Sequence, residues 1–458
     1  MMMSVVKENS DFFRLDSHCF EKRFEFLKQT LKYVHCKRLS ELVSKPIQTG
    51  HTPSMSNAEN YGGNIAFIKT DNLHSNDISD IYNDYLSDKG NSEIFRTFLQ
   101  PKDIITTIIG ATEDVIARSA IICPAHLPAN INQNIVQIRI NSNIICPEYV
   151  NIYLNSKYGR NYLILLSRQT EQVNLNCQEV GGVLIPIFSD NLCKTIQNLS
   201  TKAYKLQLQT KKIYASAEKL LDVYLMIENF DEYKHTIKSL TNSFIKSGRL
   251  DAEYYQPKYD SLIAQINAKE TVSSLCNLYD SNFVPDSDRE YNYIELSNVG
   301  ISGNISNVEK VIGNNLPSRA RRLVQKGQVI VSSIEGSLSS CALIDSEYDC
   351  ALCSTGFYVI DSDKINSETL LVLFKSKPIQ ALLKQRCSGT ILTAISKDEF
   401  LNMPLPTIDE VVQKEISYKI QESFRLRKEA KRLLDKAIKA VEIAIETDEE
   451  TALNGLMD

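Results

Sequence analysis

Histidine is scarce in this chain: six residues in 458, none beyond His235. A Ser/His/Asp or Cys/His mechanism therefore cannot be repeated in its second half. No apolar run approaches the roughly 20 residues that a membrane helix needs, so no membrane association is expected. From Met1 to Phe13 charged and polar residues interrupt every apolar stretch, which speaks against an export signal. A GxxxxGK(S/T) phosphate loop is missing, and so is a strand–GxGxxG–helix unit. The Asn-Pro-Pro and Asp-Pro-Pro clusters with which adenine methyltransferases hold a flipped base are missing too. These absences point to binding and away from catalysis.

Eleven cysteines are an odd number with no disulfide rhythm. Without an export signal they read as reduced, mostly buried thiols, and the expected location is cytoplasmic. Cys350 and Cys353 form one CxxC, with Cys341 upstream. No second pair or suitably spaced histidine completes a zinc site, so no metal is expected. Asp231-Glu232-Tyr233-Lys234 holds a nuclease-type Glu-x-Lys, a triplet common by chance. The net charge of −5 is not that of a basic nucleic-acid binder. Glu446, Asp448, Glu449, Glu450 and Asp458 account for all of it, which leaves residues 1–445 formally neutral. Such an acidic end reads as a solvated, frayed terminus.

What the chain does have is a long heptad seam. Leu192, Ile196, Leu199, Ala203, Leu206, Ile213, Ala217, Leu220 and Tyr224 recur in steps of four and three, with Thr210 the polar break. One helix cannot hide such a seam alone. A second, weaker seam starts at Val412 and runs through Ile416, Lys419, Ser423, Leu426, Ala430, Leu433, Ala437, Ala440 and Ala444. The two helices are expected to pair, each with a globular domain in front of it.

An internal repeat supports that plan. Arg14-Leu15-Asp16-Ser17 recurs as Arg249-Leu250-Asp251-Ala252. Phe67-Ile68-Lys69 with Asn72 recurs as Tyr293-Ile294-Glu295 with Asn298. Asp103-Ile104-Ile105-Thr106-Thr107 recurs as Gln328-Val329-Ile330-Val331-Ser332. Residues 149–186 align without a gap on 369–406, and a heptad helix follows both at the same offset.

Within each copy the pattern mixes helices and strands. Residues 14–34 and 147–156 read as helices, and 65–68 and 104–109 as strands. The alternation in 135–140 predicts a half-buried strand. In the second copy 329–331 and 357–360 are strands and 367–374 a helix. Ser189 or Asp190 is placed to cap the first long helix, and Thr407 with Glu410 has capping-box spacing for the second. The fold class is α+β: two tandem mixed α/β domains separated by a pair of long helices.

The most concentrated basic patch is Ser318-Arg319-Ala320-Arg321-Arg322, with Lys326 after it. Arginine forks match phosphate oxygens and the O6/N7 edge of guanine; a solvated loop is the competing reading. The matching region of the first copy, 93–102, has only Arg96 and Lys102. Its other candidates are Lys69, Arg118, Lys157, Arg160 and Arg168. The hydroxyl pairs Thr106-Thr107 and Ser332-Ser333 follow buried strands, where they can bond phosphates or base edges, or cap local turns. The loops 169–174 and 388–393 either touch DNA or seat the domain on its helix.

Taken together, these residues resemble the specificity subunit of type I restriction-modification enzymes. The resemblance covers residues 11–445. Ser388-Gly389-Thr390 through Ile395-Ser396-Lys397 to Met403-Pro404-Leu405-Pro406 is similar to the usual ending of a target-recognition domain, and Val173-Asn174-Leu175 with Leu184-Ile185-Pro186 is a looser version. Gly327-Gln328-Val329-Ile330-Val331-Ser332 resembles the Gly-Asp-hydrophobic strand found mid-domain, for which the first copy has Pro101-Lys102-Asp103.

The resemblance implies an N-terminal arm (1–10), a first target-recognition domain (11–189), a central spacer helix (190–228), a linker (229–248), a second target-recognition domain (249–408), a C-terminal spacer helix (409–447) and an acidic tail (448–458). The spacer helices would pair as an antiparallel coiled coil. Each domain would read one half of a bipartite double-stranded DNA target. Residues 192–224 would be roughly 50 Å long at about 1.5 Å per residue, or about 14 base pairs at about 3.4 Å each. Two modification (methyltransferase) subunits and motor-nuclease restriction subunits would be the protein partners. S-adenosylmethionine, ATP and Mg would sit on those partners, leaving this chain without cofactor or catalytic residues. A tandem coiled-coil adaptor for proteins and a cryptic nuclease are the rival classes.

Overall fold

A computed structural model describes residues 21–79, 82–169, 173–226, 237–245, 248–306, 308–389 and 393–457. The N-terminal arm, the Arg14–Ser17 half of the first repeat pair, the Asp231–Lys234 triplet, and Thr170 and Thr390 lie outside the described residues. The chain divides into two compact units, Met1–Leu208 with Lys428–Asp458, and Gln209–Arg427.

The first unit is built on a four-stranded antiparallel sheet in the order Gln48–Thr49, Ile135–Ile138, Ile104–Thr107, Ser119–Ile121. A second sheet pairs Ala129–Ile131 parallel to Tyr61–Ile68, whose other edge meets Tyr85–Leu86. Cys36–Arg38 pairs antiparallel with Leu184–Pro186 and ties the start of the domain to its end. Helix Lys22–Leu31 buries Phe24, Leu27 and Leu31, which share one face at helical spacing. Helices Pro147–Asn155 and Lys157–Leu166 complete the core.

The second unit repeats this plan. Its antiparallel sheet runs Asn277–Tyr279, Phe357–Asp361, Val329–Ser332, Cys341–Leu343. Its other sheet again holds one parallel pair, Glu290–Ile294 with Leu352–Ser354, and gains Ala320–Leu323 on the far side. Glu270–Thr271 and Pro404–Leu405 make the tie. Single hydrogen bonds recur as well. Leu39 N–H meets the Val183 carbonyl at 2.8 Å, and Val272 N–H meets the Met403 carbonyl at 3.0 Å. Arg249, from the second Arg-Leu-Asp, pairs with Asp251 at 2.7 Å and donates to the Cys387 carbonyl at 2.7 Å.

The mid-domain turn settles how the copies align there. Lys102 has φ 72° and Gly327 has φ 89°. Lys102 N–H bonds the Ile122 carbonyl at 2.8 Å, as Gly327 N–H bonds that of Ile344 at 2.9 Å. The next side chain reaches back in both copies: Asp103 Oδ2 accepts from Gln100 N–H at 2.8 Å, and Gln328 Oε1 from Gln325 N–H at 2.8 Å. Lysine thus occupies the left-handed position for which glycine is the unstrained residue.

Two long helices, Asp190–Tyr224 and Glu410–Glu446, each contribute to both units. In the first unit Leu192, Ile196 and Ala203 share a core with Ala430, Leu433, Ala437, Val441 and Ala444. Ser189 N–H, at the start of one helix, is held by Glu449, just past the end of the other, at 3.0 Å. In the second unit Tyr214, Ala217 and Leu221 share a core with Ile416 and Ile420. There the Tyr224 hydroxyl accepts from Asp409 N–H at 3.2 Å, and the Thr210 carbonyl accepts from Ser423. Residue numbers climb on one helix as they fall on the other, so the helices run antiparallel within each unit.

Three expectations are corrected. The segment 448–458 is not frayed as far as it is described: it forms a helix, Glu449–Met457, with Ala452 fully buried and Leu453 packed on the core. Strand Ile135–Ile138 is buried on both faces, not one, because Gln137 has internal partners in Lys45 Nζ at 2.7 Å and Asp103 Oδ2 at 2.5 Å. The second long helix begins at Glu410, after Asp409, and Thr407 stays outside it. Ile408 must remain in the core, which keeps the chain extended past Thr407. At the first long helix Ser189 does cap, accepting from Leu192 N–H at 3.4 Å.

Candidate nucleic-acid interface

In the second unit the cations gather on strand Ala320–Leu323 and the turn before it. The turn is fixed by backbone bonds. Ala320 N–H meets the Pro317 carbonyl at 2.9 Å, and the Arg319 carbonyl accepts from Arg321 N–H at 3.0 Å and Thr355 N–H at 2.8 Å. The register against Leu352–Ser354 shifts between Ala320 and Arg322. Such a bulge re-aims the side chains around it. Arg321 Nε donates to the Ser318 carbonyl at 3.1 Å, and Arg322 Nη1 to Asn282 Oδ1 at 3.2 Å. The Arg322 Nε is buried with no acceptor among the described residues. Arg319 is exposed, and its guanidinium has no hydrogen bond or ion pair to a described residue. The nearby carboxylate of Asp280 is taken by Lys397 at 2.6 Å, which holds its pKa below the ordinary aspartate range.

The hydroxyl pairs face inward. Thr106 Oγ1 and Ser119 Oγ share a bond at 2.8 Å. Thr107 Oγ1 donates to the Val115 carbonyl at 2.6 Å and accepts from Arg118 N–H at 3.0 Å. Ser332 and Ser337 share a bond at 3.0 Å, and Ser333 donates to the Gly356 carbonyl at 2.9 Å. All four residues are buried and each hydroxyl has an internal partner: Thr107 and Ser332 bond into the turn that follows, Thr106 bonds across to the neighbouring strand, and Ser333 bonds the turn at Gly356. Of the two roles open to them, turn capping describes the bonds of Thr107 and Ser332, while Thr106 and Ser333 fasten neighbouring segments.

The first-unit cations are dispersed and mostly engaged. Lys69 pairs with Asp84 and lies over the Phe67 ring. Arg118 Nε donates to the Asp114 carbonyl at 2.8 Å, and Arg160 Nη2 to that of Glu113 at 2.9 Å, so the two clamp one loop. Burial pulls both guanidinium pKa values down, and for Arg160 the Arg118 charge adds to it. Lys157 pairs with Glu446 at 2.5 Å and its N–H with Glu442 at 2.8 Å, which fastens helix Lys157–Leu166 to the long helix. Arg168 is exposed and pairs with Glu179 at 2.9 Å. The matching glutamate of the second unit, Glu399, pairs at 2.9 Å with Arg386, two residues before the position that aligns with Arg168. Each of those glutamates is the third residue of a short helix capped by Asn176 or Ser396. Sequence reading missed Asn282 and Arg289, the latter exposed and 5.4 Å from the Tyr291 ring. Neither stands out in a polar stretch without the fold.

Among the described residues, no three His, Cys, Asp or Glu side chains come together as a metal site. Cys341 and Cys353 are fully buried while Cys350 is exposed at a turn with φ 60°. Burial pushes the Cys341 thiol up to about 11. No helix among the described residues is long and apolar enough to cross a membrane.

No known family model matches the chain. Solved structures are similar to it at low identity. The type I restriction-modification S subunit from M. genitalium is 10% identical, over 90% of this chain and 96% of its own, with a TM-score of 0.39. A chain from a structure of the assembly and conformational transition of the type I R-M system is 14% identical, over 90% and 98%, with a TM-score of 0.30. The HsdS subunit from Thermoanaerobacter tengcongensis is also 14% identical, over 90% and 97%, with a TM-score of 0.30. These three solved structures, of type I restriction-modification S subunits and systems, are each similar over nine-tenths of this chain.

Proposed function

We propose that this chain is the DNA-specificity subunit of a type I restriction-modification complex. Each recognition domain, 11–189 and 249–408, reads one half of a bipartite target. The antiparallel helices set the number of base pairs between the halves. The contacts come from Arg319, Arg321 and Arg322 in the second domain and from Arg168, Arg118 and Lys69 in the first. Thr106, Thr107, Ser332 and Ser333 shape the turns behind them. Two methyltransferase subunits carry S-adenosylmethionine and flip the target adenine. Motor-nuclease subunits carry ATP and Mg. The chain itself supplies address and no chemistry, and acts in the cytoplasm. Partner cations provide much of the phosphate neutralisation, which fits a neutral body.

The observation that carries this reading is the duplicated plan: one domain topology, built twice, each copy seated on a long helix that it shares with an antiparallel partner. The test is a map of methylated adenines in DNA from cells with and without the protein. A bipartite motif of fixed spacing that disappears with the gene supports the reading. Identical maps sink it.

A further inference from the structure

We propose that Arg319 is a specificity-determining residue that reads a guanine, and that this requirement belongs to the second half-site alone. The proposal rests on the DNA-reading function above and refines it.

Three observations separate Arg319 from its neighbours. Its guanidinium is exposed and has no partner among the described residues, whereas Arg321 and Arg322 are half-buried and each spends a donor internally. Its backbone is held by two hydrogen bonds to one carbonyl, so the side chain springs from a fixed point. Asp280, which feels the Arg322 charge, is occupied by Lys397 at 2.6 Å. A planar fork with free donors on a rigid turn suits the paired O6 and N7 acceptors of guanine. Arg321 and Arg322 stand behind it as a tethered positive field.

Among its described residues the first domain has no such element. Leu99 N–H meets the Ala129 carbonyl at 3.1 Å, and Val324 N–H meets that of Ala351 at 3.0 Å, so 99 and 324 are matched positions. Just upstream the second unit has the arginine strand, while the first has a single turn, Phe95–Thr97. There Thr97 is buried and donates to Asn130 Oδ1 at 2.9 Å.

The experiment maps adenine methylation by the complete system with the wild-type chain, Arg319→Ala or Arg319→Lys. Both variants should melt as wild type does, because the side chain holds nothing in place. Both should keep the spacer and the first half-site, and accept other bases at one guanine of the second. Discrimination there should fall roughly tenfold to a hundredfold. An even loss across all sites, rescued by Arg319→Lys, would mean a phosphate contact and overturn the proposal. So would an unchanged motif, or relaxation in the first half-site. If the wild-type chain directs no bipartite motif at all, the specificity-subunit reading itself fails, whatever the variants do.

Discussion

The Ser423 hydroxyl donates to the Thr210 carbonyl at 3.1 Å, between the paired helices of the second unit. Both residues are buried, and each interrupts the apolar seam of its own helix. The Thr210 hydroxyl has no partner among the described residues. Two polar neighbours should therefore respond with opposite signs. Ser423→Ala removes a made bond and should cost about 1 kcal/mol. Thr210→Val removes an unmet hydroxyl at nearly constant shape and should be neutral or stabilising by up to about 1 kcal/mol. Urea unfolding of the two variants checks this; a Thr210→Val chain weaker than Ser423→Ala contradicts it.

Lys102 and Gly327 occupy the same turn with φ 72° and 89°. Lys102→Gly relieves a left-handed lysine and should stabilise by roughly 0.5–1 kcal/mol, less the entropy that glycine adds to the unfolded chain. Lys102 also pairs at 3.0 Å with Glu148, whose carboxylate is buried, so Lys102→Gly is compared with Lys102 in a Glu148→Gln background, where that pair is absent from both chains. Gly327→Ala should destabilise by about 1 kcal/mol. Thermal melting of both variants is the measurement, and matching signs would break the equivalence.

Glu446 couples stability to pH. Hydrogen bonding from Lys157, with Tyr158 adding, holds the Glu446 carboxyl below its ordinary value of 4.5. A carboxylate lowered by folding stabilises above that ordinary value and loses its contribution as pH falls through the lowered one. The stability gap between wild type and Glu446→Gln should thus be full at neutral pH and close below about pH 4.5. A gap as wide at pH 3 as at pH 7 refutes this assignment.

Replacing residues 11–189 with another recognition domain should change one half of the methylated motif and leave the other intact. Inserting four residues into one long helix should alter the spacer while both half-sites stay readable. Sequencing of methylated adenines reports both. A change in both halves, or an unaltered spacer, counts against modular reading.

The long helices were legible because a seam of steps four and three needs only local order to be seen. The repeat was legible from short blocks such as 149–186 against 369–406. The turn at Lys102 was not, because positive φ leaves no mark on a lysine side chain. The docked end was hidden by its acids: Ala452 and Leu453 carry the packing, but Glu449 and Glu450 dominate the composition. The hydroxyl pairs were found in sequence, yet whether they faced out or in depended on partners such as Val115 and Gly356, which only the fold brings near. Arg319 was one candidate among several until the strand sorted tethered guanidiniums from the untethered one.

The ties at Leu39–Val183 and Val272–Met403 close each domain at the same backbone bond. The joints are shared, but each domain also packs on both long helices, so a segment cut at those joints keeps its core only on a frame that presents the same helix faces. On the proposed function, a crossover at each joint would trade one reader for another while the helices it plugs into stay as they are. New addresses would then arise by exchange of parts, with side-chain substitutions such as those around Arg319 left to fine-tune them.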